Sequence, residues 1–169
     1  MKIAIGSDRR GLDYKTRLIQ YMEKAGHEVV AGGPHEAVPC DYPIYAEKVG
    51  KLVAQGECIY GVVICGTGIG ISIAANKVPG IRCGVAYSDD VARFMREHND
   101  ANIIAFGQSH MEYPDIERRL DIFLRTSFAE GYHVFRLNQL TDIECGRELK
   151  SSPLLDQVWK ATASSKERK

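Results

Sequence analysis

The sequence predicts an α/β fold, in which a mainly parallel sheet of roughly five strands is covered by helices on both faces. Three observations predict it. Short apolar runs typical of strands alternate with segments whose apolar residues recur at helical spacing. Glycine or polar residues follow most of these strands, and 169 residues are enough for one ordinary domain with a sizeable core. Strands joined by helices of this length form βαβ units, and such sheets bind ligands at the carboxyl ends of their strands.

Each element follows from its local pattern. Strands are predicted at the apolar runs 2–6, 27–31, 59–65, 82–86 and 102–106. Helices are predicted where apolar residues recur every three or four positions, over 14–24, 44–55, 69–77, 89–97 and 113–128. Four segments that follow the strands are expected at one edge of the sheet, namely 7–8, 65–70, 87–89 and 107.

The pattern changes after Gly131. Residues 134–149 are predicted to form a helix, which the run Ser-Ser-Pro at 151–153 breaks. A further apolar stripe at helical spacing follows at 154–159. We therefore expect one domain over residues 1–150, then a C-terminal helical extension and polar tail over 151–169 that packs on its own domain or on a partner subunit.

Composition argues against several functional classes. Hydrophobic residues make up 44% of the chain and charged residues 26%, and the formal net charge is zero. A nucleic-acid or membrane-surface binder normally has a basic excess, so neither partner is expected. The chain starts with a strand pattern and has no apolar run long enough for a signal peptide or a membrane span, which predicts a cytoplasmic protein.

The five cysteines are scattered, with no C-x-x-C pair and no histidine-rich neighbourhood. An odd count without a secretory signal predicts free thiols rather than a disulfide framework or a zinc site. Cys58 and Cys83 lie in or beside strand-like segments and are expected in the core. No cluster of metal ligands is visible in the sequence, and we expect neither a metal nor another cofactor.

The most informative stretch is 61–77. An apolar strand leads to Cys65, glycine follows at every second position (Gly66, Gly68 and Gly70), and a predicted helix comes next. Glycine lets the backbone approach a ligand with its N–H groups turned inward, and a helix N-terminus adds partial positive charge. A thiol in this setting is driven toward its thiolate form. The loop is therefore predicted to supply a base or nucleophile beside an anion-binding site; the alternative is a glycine loop with an inert buried cysteine.

Three standard phosphate-binding loops do not fit this stretch. A P-loop requires a lysine that is absent here, and the dinucleotide pattern Gly-x-Gly-x-x-Gly is matched only imperfectly. A phosphatase loop of the Cys-x5-Arg type needs arginine at position 71 or 72, where Ile71 and Ser72 stand. The absence of these three patterns excludes most alternative interpretations of the glycine loop.

Other candidate residues each have a structural alternative. Asp8 can hydrogen-bond sugar hydroxyls or carry a proton, or it caps the next helix. His98 stands at a predicted helix end, which favours its charged form, and is catalytic or structural. His133 and Arg136 are three residues apart on a helix, and with the arginine pair 9–10 they either bind an anion or face solvent.

Five blocks of the sequence occur together in one known family. They are Gly-Ser-Asp at 6–8 with Gly11, Asp-Tyr-Pro at 41–43, Ile-Cys-Gly-Thr-Gly-Ile-Gly at 64–70, Ala-Ala-Asn-Lys-Val-Pro-Gly-Ile-Arg at 74–82 and Glu-His-Asn-Asp-Ala-Asn at 97–102. In this order and spacing, over residues 1–140, they resemble type B ribose-5-phosphate isomerase, whose wider family includes the galactose-6-phosphate isomerase subunits. The chain is identified as a member of this family.

The resemblance implies a Rossmann-like three-layer sandwich, a homodimer or homotetramer with active sites at the dimer interface, and metal-independent aldose–ketose isomerisation of a small sugar phosphate through an enediolate. By position, Cys65 resembles the family's base, Thr67 and Asp8 its hydroxyl-handling and ring-opening groups, and His98 its ring-opening acid. The implied substrate-binding residues are Arg9, Tyr42, Gly66, Gly68, Ile69, Gly70, Asn99, His133 and Arg136. Moving a proton between C1 and C2 needs one base and oxyanion donors, each donor lowering the barrier by roughly 3–4 kcal/mol.

The chain departs from the family at the phosphate end of the substrate. The family's Asp-His-Ala-Gly is Asp-Arg-Arg-Gly at 8–11, so that Arg9 replaces a histidine. Ser109 stands nearest to a family arginine, Tyr132 replaces another, and Tyr87 replaces a histidine. These changes predict a reshaped anion site.

Three functions stay open. In the first, Arg9, with or without Arg10, binds the phosphate of a tetrose, pentose or hexose. In the second, the substrate is a free sugar. In the third, the chain is a non-catalytic sugar-binding or partner subunit, against which the intact Asp8, Cys65 and His98 argue.

Overall fold

The computed structural model describes residues 1–34, 36 and 38–152. The chain divides into two compact units, Met1–Phe128 and Ala129–Lys169. In these described ranges, no helix is long and apolar enough to cross a membrane. The apolar stripe at 154–159 and the polar tail lie outside the described residues, so the extension over 151–169 and the boundary at residue 150 stay predictions.

The first unit is built on one sheet. Its strands are β1 (Lys2–Ser7), β2 (Glu28–Gly32), β3 (Tyr60–Cys65), β4 (Cys83–Val85) and β5 (Ile103–Gly107). They lie in the order β2-β1-β3-β5-β4 with every neighbouring pair parallel, which confirms the predicted sheet. Ser7 pairs with Ile64, and Cys65 pairs with Gly107, so β1, β3 and β5 end level with one another.

Helices cover both faces of this sheet. They are α1 (Leu12–Lys24), α2 (Tyr42–Ala54), α3 (Ile69–Ala75), α4 (Asp89–Glu97) and α5 (Tyr113–Arg125), and the second unit contains α6 (Tyr132–Glu144). Because successive strand residues point to opposite faces, Val62 and Ile64 pack in the core under α1, α4 and α5, whereas Val63 and Cys65 pack with α2 and α3. The predicted three-layer α/β arrangement is confirmed.

Two helices have bounds that differ from those the sequence pattern predicts. A helix is predicted over 69–77, but α3 ends at Ala75. The next residue, Asn76, bonds to β4 instead: its Oδ1 accepts from the N–H of Cys83 at 2.7 Å, and its Nδ2 donates to the carbonyl of Cys83 at 2.9 Å. The helix predicted over 134–149 starts earlier and is shorter, as α6.

The cysteines are free thiols, as predicted. Cys58 is 2% exposed and belongs to the core, whereas Cys83 is only partly buried against the same core. Burial raises the pKa of both thiols above its ordinary value. Neither thiol is therefore poised for chemistry.

Candidate active site

Cys65 ends β3 and is only 5% exposed. Its Sγ accepts a hydrogen bond from the main-chain N–H of Gly68 at 3.2 Å. Gly68 has a left-handed φ of 79°, and a methyl group built on it would lie 2.9 Å from the carbonyl carbon of Phe106. Only glycine therefore allows the loop to turn this amide onto the sulfur.

The residues after β5 hold the first part of this loop. The N–H groups of Gln108 and Ser109 donate to the carbonyls of Cys65 and Gly66, each at 2.9 Å. Because both carbonyls are bonded to a neighbouring strand end, the loop backbone is fixed before any ligand binds.

The outer side of the loop carries Thr67 and Ile69, which are both exposed. Thr67 Oγ1 accepts a hydrogen bond from the N–H of Ile69 at 3.2 Å. Tyr42, the first residue of α2, stands against the end of the loop: a methyl group built on Gly70 would lie 2.8 Å from its Cζ and 3.1 Å from its hydroxyl oxygen. The predicted residues Tyr42, Thr67 and Ile69 are thus brought together around Cys65.

Asp8 follows β1 and is 9% exposed. Its Oδ1 accepts from the N–H groups of Arg10 at 2.9 Å and Gly11 at 3.1 Å, so it caps a short 3-10 turn over Arg9–Gly11. Its own N–H donates to the carbonyl of Ile64 at 3.3 Å. Asp8 therefore has the predicted capping role and also lies beside the strand that delivers Cys65.

His98 and Asn99 lie at the other edge of the sheet. They follow α4 and precede β5, close to Asn102, whose carbonyl accepts from the N–H of Gly61 near the start of β3 at 2.9 Å. Cys65 is four residues further along β3, about 13 Å away at roughly 3.3 Å per residue. Within one chain, the structure does not bring His98 and Asn99 to the thiol.

An ion-pair cluster holds the segment that carries these two residues. Asp100 Oδ1 accepts from Arg96 Nη1 at 2.7 Å, and its Oδ2 accepts from Arg82 Nη2 at 2.9 Å. Arg82 Nε also donates to the carbonyl of Asn99 at 3.0 Å, and Arg96 Nη2 donates to the hydroxyl of Tyr60 at 2.9 Å. This cluster is not among the features predicted from the sequence, although Asp100 stands four residues after Arg96 in it.

A cavity of about 460 Å³ adjoins the outer side of the Cys65 loop and is lined in part by Thr67, Ile69, Tyr87, His110 and Arg119. Arg119 is 9% exposed and donates to Asp89 at 3.3 Å. Hydrogen bonds from Arg118, and then from Arg119, hold the pKa of Asp89 below its ordinary value. His110 and Arg119 are not among the residues predicted from the sequence. Arg119 is recognisable there as a charged residue on the apolar side of the helix predicted over 113–128.

The two remaining candidates belong to the second unit. His133 and Arg136 lie in the first turns of α6, as the sequence predicts. The Arg136 guanidinium is exposed and lies 4.8 Å from the centroid of the Tyr132 ring. Among the residues that the structure describes, no three His, Cys, Asp or Glu side chains are grouped so that they could hold a metal ion.

Comparison with known proteins identifies the family. The family model described as Ribose/Galactose Isomerase matches residues 3–140. The chain belongs to the ribose/galactose isomerase family. Ribose-5-phosphate isomerase B of Escherichia coli (strain K12) is 39% identical over 143 residues, which cover 85% of this chain and 96% of that protein. The galactose-6-phosphate isomerase subunit LacB of Clostridium acetobutylicum is 38% identical over 128 residues, which cover 76% and 74% of the two chains.

Solved structures of the ribose/galactose isomerase family have the same fold. Ribose-5-phosphate isomerase B of Clostridium thermocellum superposes with a TM-score of 0.85 at 44% identity, covering 86% of this chain and 99% of that one. The type B ribose 5-phosphate isomerase of Trypanosoma brucei superposes with a TM-score of 0.81 at 39% identity. The predicted family, fold class and isomerase class are confirmed, and the chain is a sugar-phosphate isomerase of this family.

Proposed function

We propose that this chain interconverts the aldose and ketose forms of a small sugar phosphate through an enediolate, with Cys65 as the base. The observation that carries this proposal is the hydrogen bond from the Gly68 N–H to Cys65 Sγ at the carboxyl edge of the sheet. The base of this reaction accepts a proton on its sulfur, and a main-chain donor fixed on that sulfur stabilises negative charge there. The family resemblance implies no metal in this reaction.

The loop that begins at Cys65 supplies the base and the oxyanion donors that this proton transfer needs. The Cys65 thiolate takes the proton from C2 of the open-chain aldose, leaving an enediolate. A proton then moves from the C2 hydroxyl to the C1 oxygen, and Cys65 returns its own proton to C1 to give the ketose. Negative charge develops on the C1 oxygen, where amides of the loop between Gly66 and Gly70 are donors. A fixed donor of this kind lowers a barrier by about 3–4 kcal/mol, because it needs no reorganisation during the reaction.

Two further side chains support substrate handling. Both hydrogen bonds that Asp8 accepts from the 3-10 turn end on Oδ1, so Oδ2 is the atom we assign to a sugar hydroxyl during ring opening. Thr67 is exposed on the loop beside the cavity of about 460 Å³, within reach of a second hydroxyl. The substrates under this proposal are ribose 5-phosphate and tetrose or hexose phosphates of related shape, handled in the cytoplasm.

The site is completed by a second copy of the chain. His98 and Asn99 stand at the opposite edge of the sheet from Cys65 in their own chain, so they serve this reaction only from a partner. The helices beside the loop present exposed apolar side chains suited to such a contact: Ile44 is 59%, Ile69 57% and Ile73 56% exposed. Exposed apolar clusters of this kind mark interaction surfaces. We therefore propose a homodimer, or a tetramer made of such dimers.

Deuterium exchange in D2O tests the function directly. The full chain is incubated with tetrose, pentose and hexose phosphates and with the matching free sugars, and deuterium entry at C1 and C2 is followed by NMR. We expect exchange in at least one sugar phosphate. Cys65→Ala removes the base and is expected to abolish it, while Cys145→Ala, which removes an exposed thiol of the second unit, leaves it unchanged.

Three results of this experiment would each contradict one part of the proposal. Exchange that persists in Cys65→Ala at the parent rate removes Cys65 as the base. Exchange confined to free sugars removes the phosphate from the proposal. If the parent chain brings no deuterium into any sugar, the result supports the hypothesis that the chain is a non-catalytic sugar-binding or partner subunit.

A further inference from the structure

The Arg10 side chain lies over the Cys65 loop. A methyl group built on Gly66 would lie 3.2 Å from Cδ of Arg10 and 3.7 Å from its Nη1. The same methyl group would lie 3.6 Å from Oγ of Ser109. A guanidinium and a hydroxyl therefore flank one face of Gly66, the residue that immediately follows Cys65.

The guanidinium of Arg10 has no paired carboxylate in the part of the chain that the structure describes. Within residues 1–34, 36 and 38–152, Arg10 forms no ion pair, whereas Arg82, Arg93, Arg96, Arg118 and Arg119 each pair with at least one carboxylate. The nearest acid in sequence, Asp8, is engaged with the main-chain N–H of Arg10 rather than with its side chain. The Arg10 guanidinium thus lies beside a loop rich in main-chain amides. Among the described residues, no carboxylate balances its charge.

We propose that Arg10, with the Ser109 hydroxyl, binds the anionic group of the substrate beside Gly66 and sets the preference for a phosphorylated over a free sugar. A phosphate monoester dianion suits this pair, because a guanidinium donates two parallel hydrogen bonds to phosphate oxygens and a hydroxyl adds a third. This inference rests on the proposed isomerase function and adds to it the residue that recognises the substrate class.

Position distinguishes Arg10 from its neighbour Arg9. Both arginines are exposed on the same 3-10 turn, yet the contact with Gly66 comes from Arg10. The sequence pattern alone selects Arg9, since Arg9 replaces a family histidine. From this contact we assign the larger share of anion binding to Arg10.

Three variants test this assignment in the full-length chain. Arg10→Ala is expected to raise KM for the phosphorylated substrate, and the inhibition constant of inorganic phosphate, by about 10- to 100-fold, the range of one charge-assisted hydrogen bond. Arg9→Ala is expected to change both constants less than Arg10→Ala does. Arg125→Ala, which removes a mostly exposed arginine at the far end of α5, is the control for loss of charge alone and is expected to change neither. Exchange into the matching free sugar should fall much less in Arg10→Ala than exchange into the sugar phosphate.

Direct titration of inorganic phosphate by calorimetry separates this inference from the proposed function. Phosphate binding that is weakened in Arg10→Ala but retained in Arg125→Ala supports the inference even if the parent exchanges no deuterium, in which case only the isomerase proposal fails. An effect of Arg9→Ala equal to or larger than that of Arg10→Ala overturns the inference. Equal losses for phosphorylated and free sugars in Arg10→Ala also overturn it, since they would mean that Arg10 only supports the loop.

Discussion

The chemistry proposed for Cys65 depends on how its sulfur is enclosed. At 5% exposure the thiol has little contact with water, and the Gly68 amide occupies part of its surface. A thiolate in so enclosed a place is stable only if fixed donors replace the lost water. The proposed base therefore depends on the backbone geometry of Gly68 as well as on the sulfur of Cys65.

Gly68→Ala tests this dependence. The substitution forces a side chain into a left-handed conformation and against the backbone of Phe106, so we expect the free energy of unfolding to fall by about 2–4 kcal/mol and exchange activity to be lost. Gly56→Ala is a matched control: its φ is 76°, but nothing lies within 4 Å of the added methyl group. Gly56→Ala should therefore cost only the conformational part, about 1–2 kcal/mol, and keep its activity. Urea unfolding and deuterium exchange measure both effects, and equal costs for the two variants would show that contact with Phe106 is unimportant.

The sequence predicts well those strands, helices and loops whose position depends only on the local pattern of residues. The central strand β3 is buried on both faces and reads as an uninterrupted apolar run, and the loop after it is continuous in sequence, so Cys65 and its glycines could be found without a structure. The end of α3 depends on the bonds between Asn76 and Cys83, and the position of Arg10 depends on its contact with Gly66. The contact of Arg10 with Gly66 joins segments that are far apart in sequence, and the bonds between Asn76 and Cys83 lie outside the helical repeat that predicts α3.

The segment between α4 and β5 depends on one carboxylate. Asp100 bonds both Arg96 and Arg82, and its φ of 43° is a backbone conformation that asparagine also tolerates. Asp100→Asn keeps the shape and removes the charge, so we expect the free energy of unfolding to fall by about 1.5–3 kcal/mol, the value of a charge-assisted hydrogen bond. Asp90→Asn, which removes a carboxylate that is 77% exposed and paired with Arg93, is expected to cost no more than about 1 kcal/mol. Chemical denaturation compares the two; an Asp100→Asn cost no larger than that of Asp90→Asn would show that the cluster does not hold the segment.

The first unit places its candidate groups at two opposite edges of one sheet. Cys65, Asp8 and Tyr42 gather at the carboxyl edge, whereas His98 and Asn99 stand at the amino edge. The length of the strands separates these edges, about 13 Å along β3 between Gly61 and Cys65. If both sets of groups serve one reaction, as proposed, a symmetric pair of chains would form two complete sites where the carboxyl edge of one chain meets the amino edge of the other.

Mixing two inactive variants tests whether the site is shared. Cys65→Ala and His98→Ala are each expected to be inactive as homodimers, because every site then lacks one group. In a mixed dimer, one site receives Cys65 from the His98→Ala chain and His98 from the Cys65→Ala chain and is intact, while the other site lacks both. Random pairing makes half of the dimers mixed, so co-refolding equal amounts should restore about one quarter of the parent exchange activity. Two Cys65→Ala preparations refolded together serve as the control and should stay inactive. No recovery in the mixed sample, although sedimentation shows mixed dimers, would mean that Cys65 and His98 do not serve a shared site.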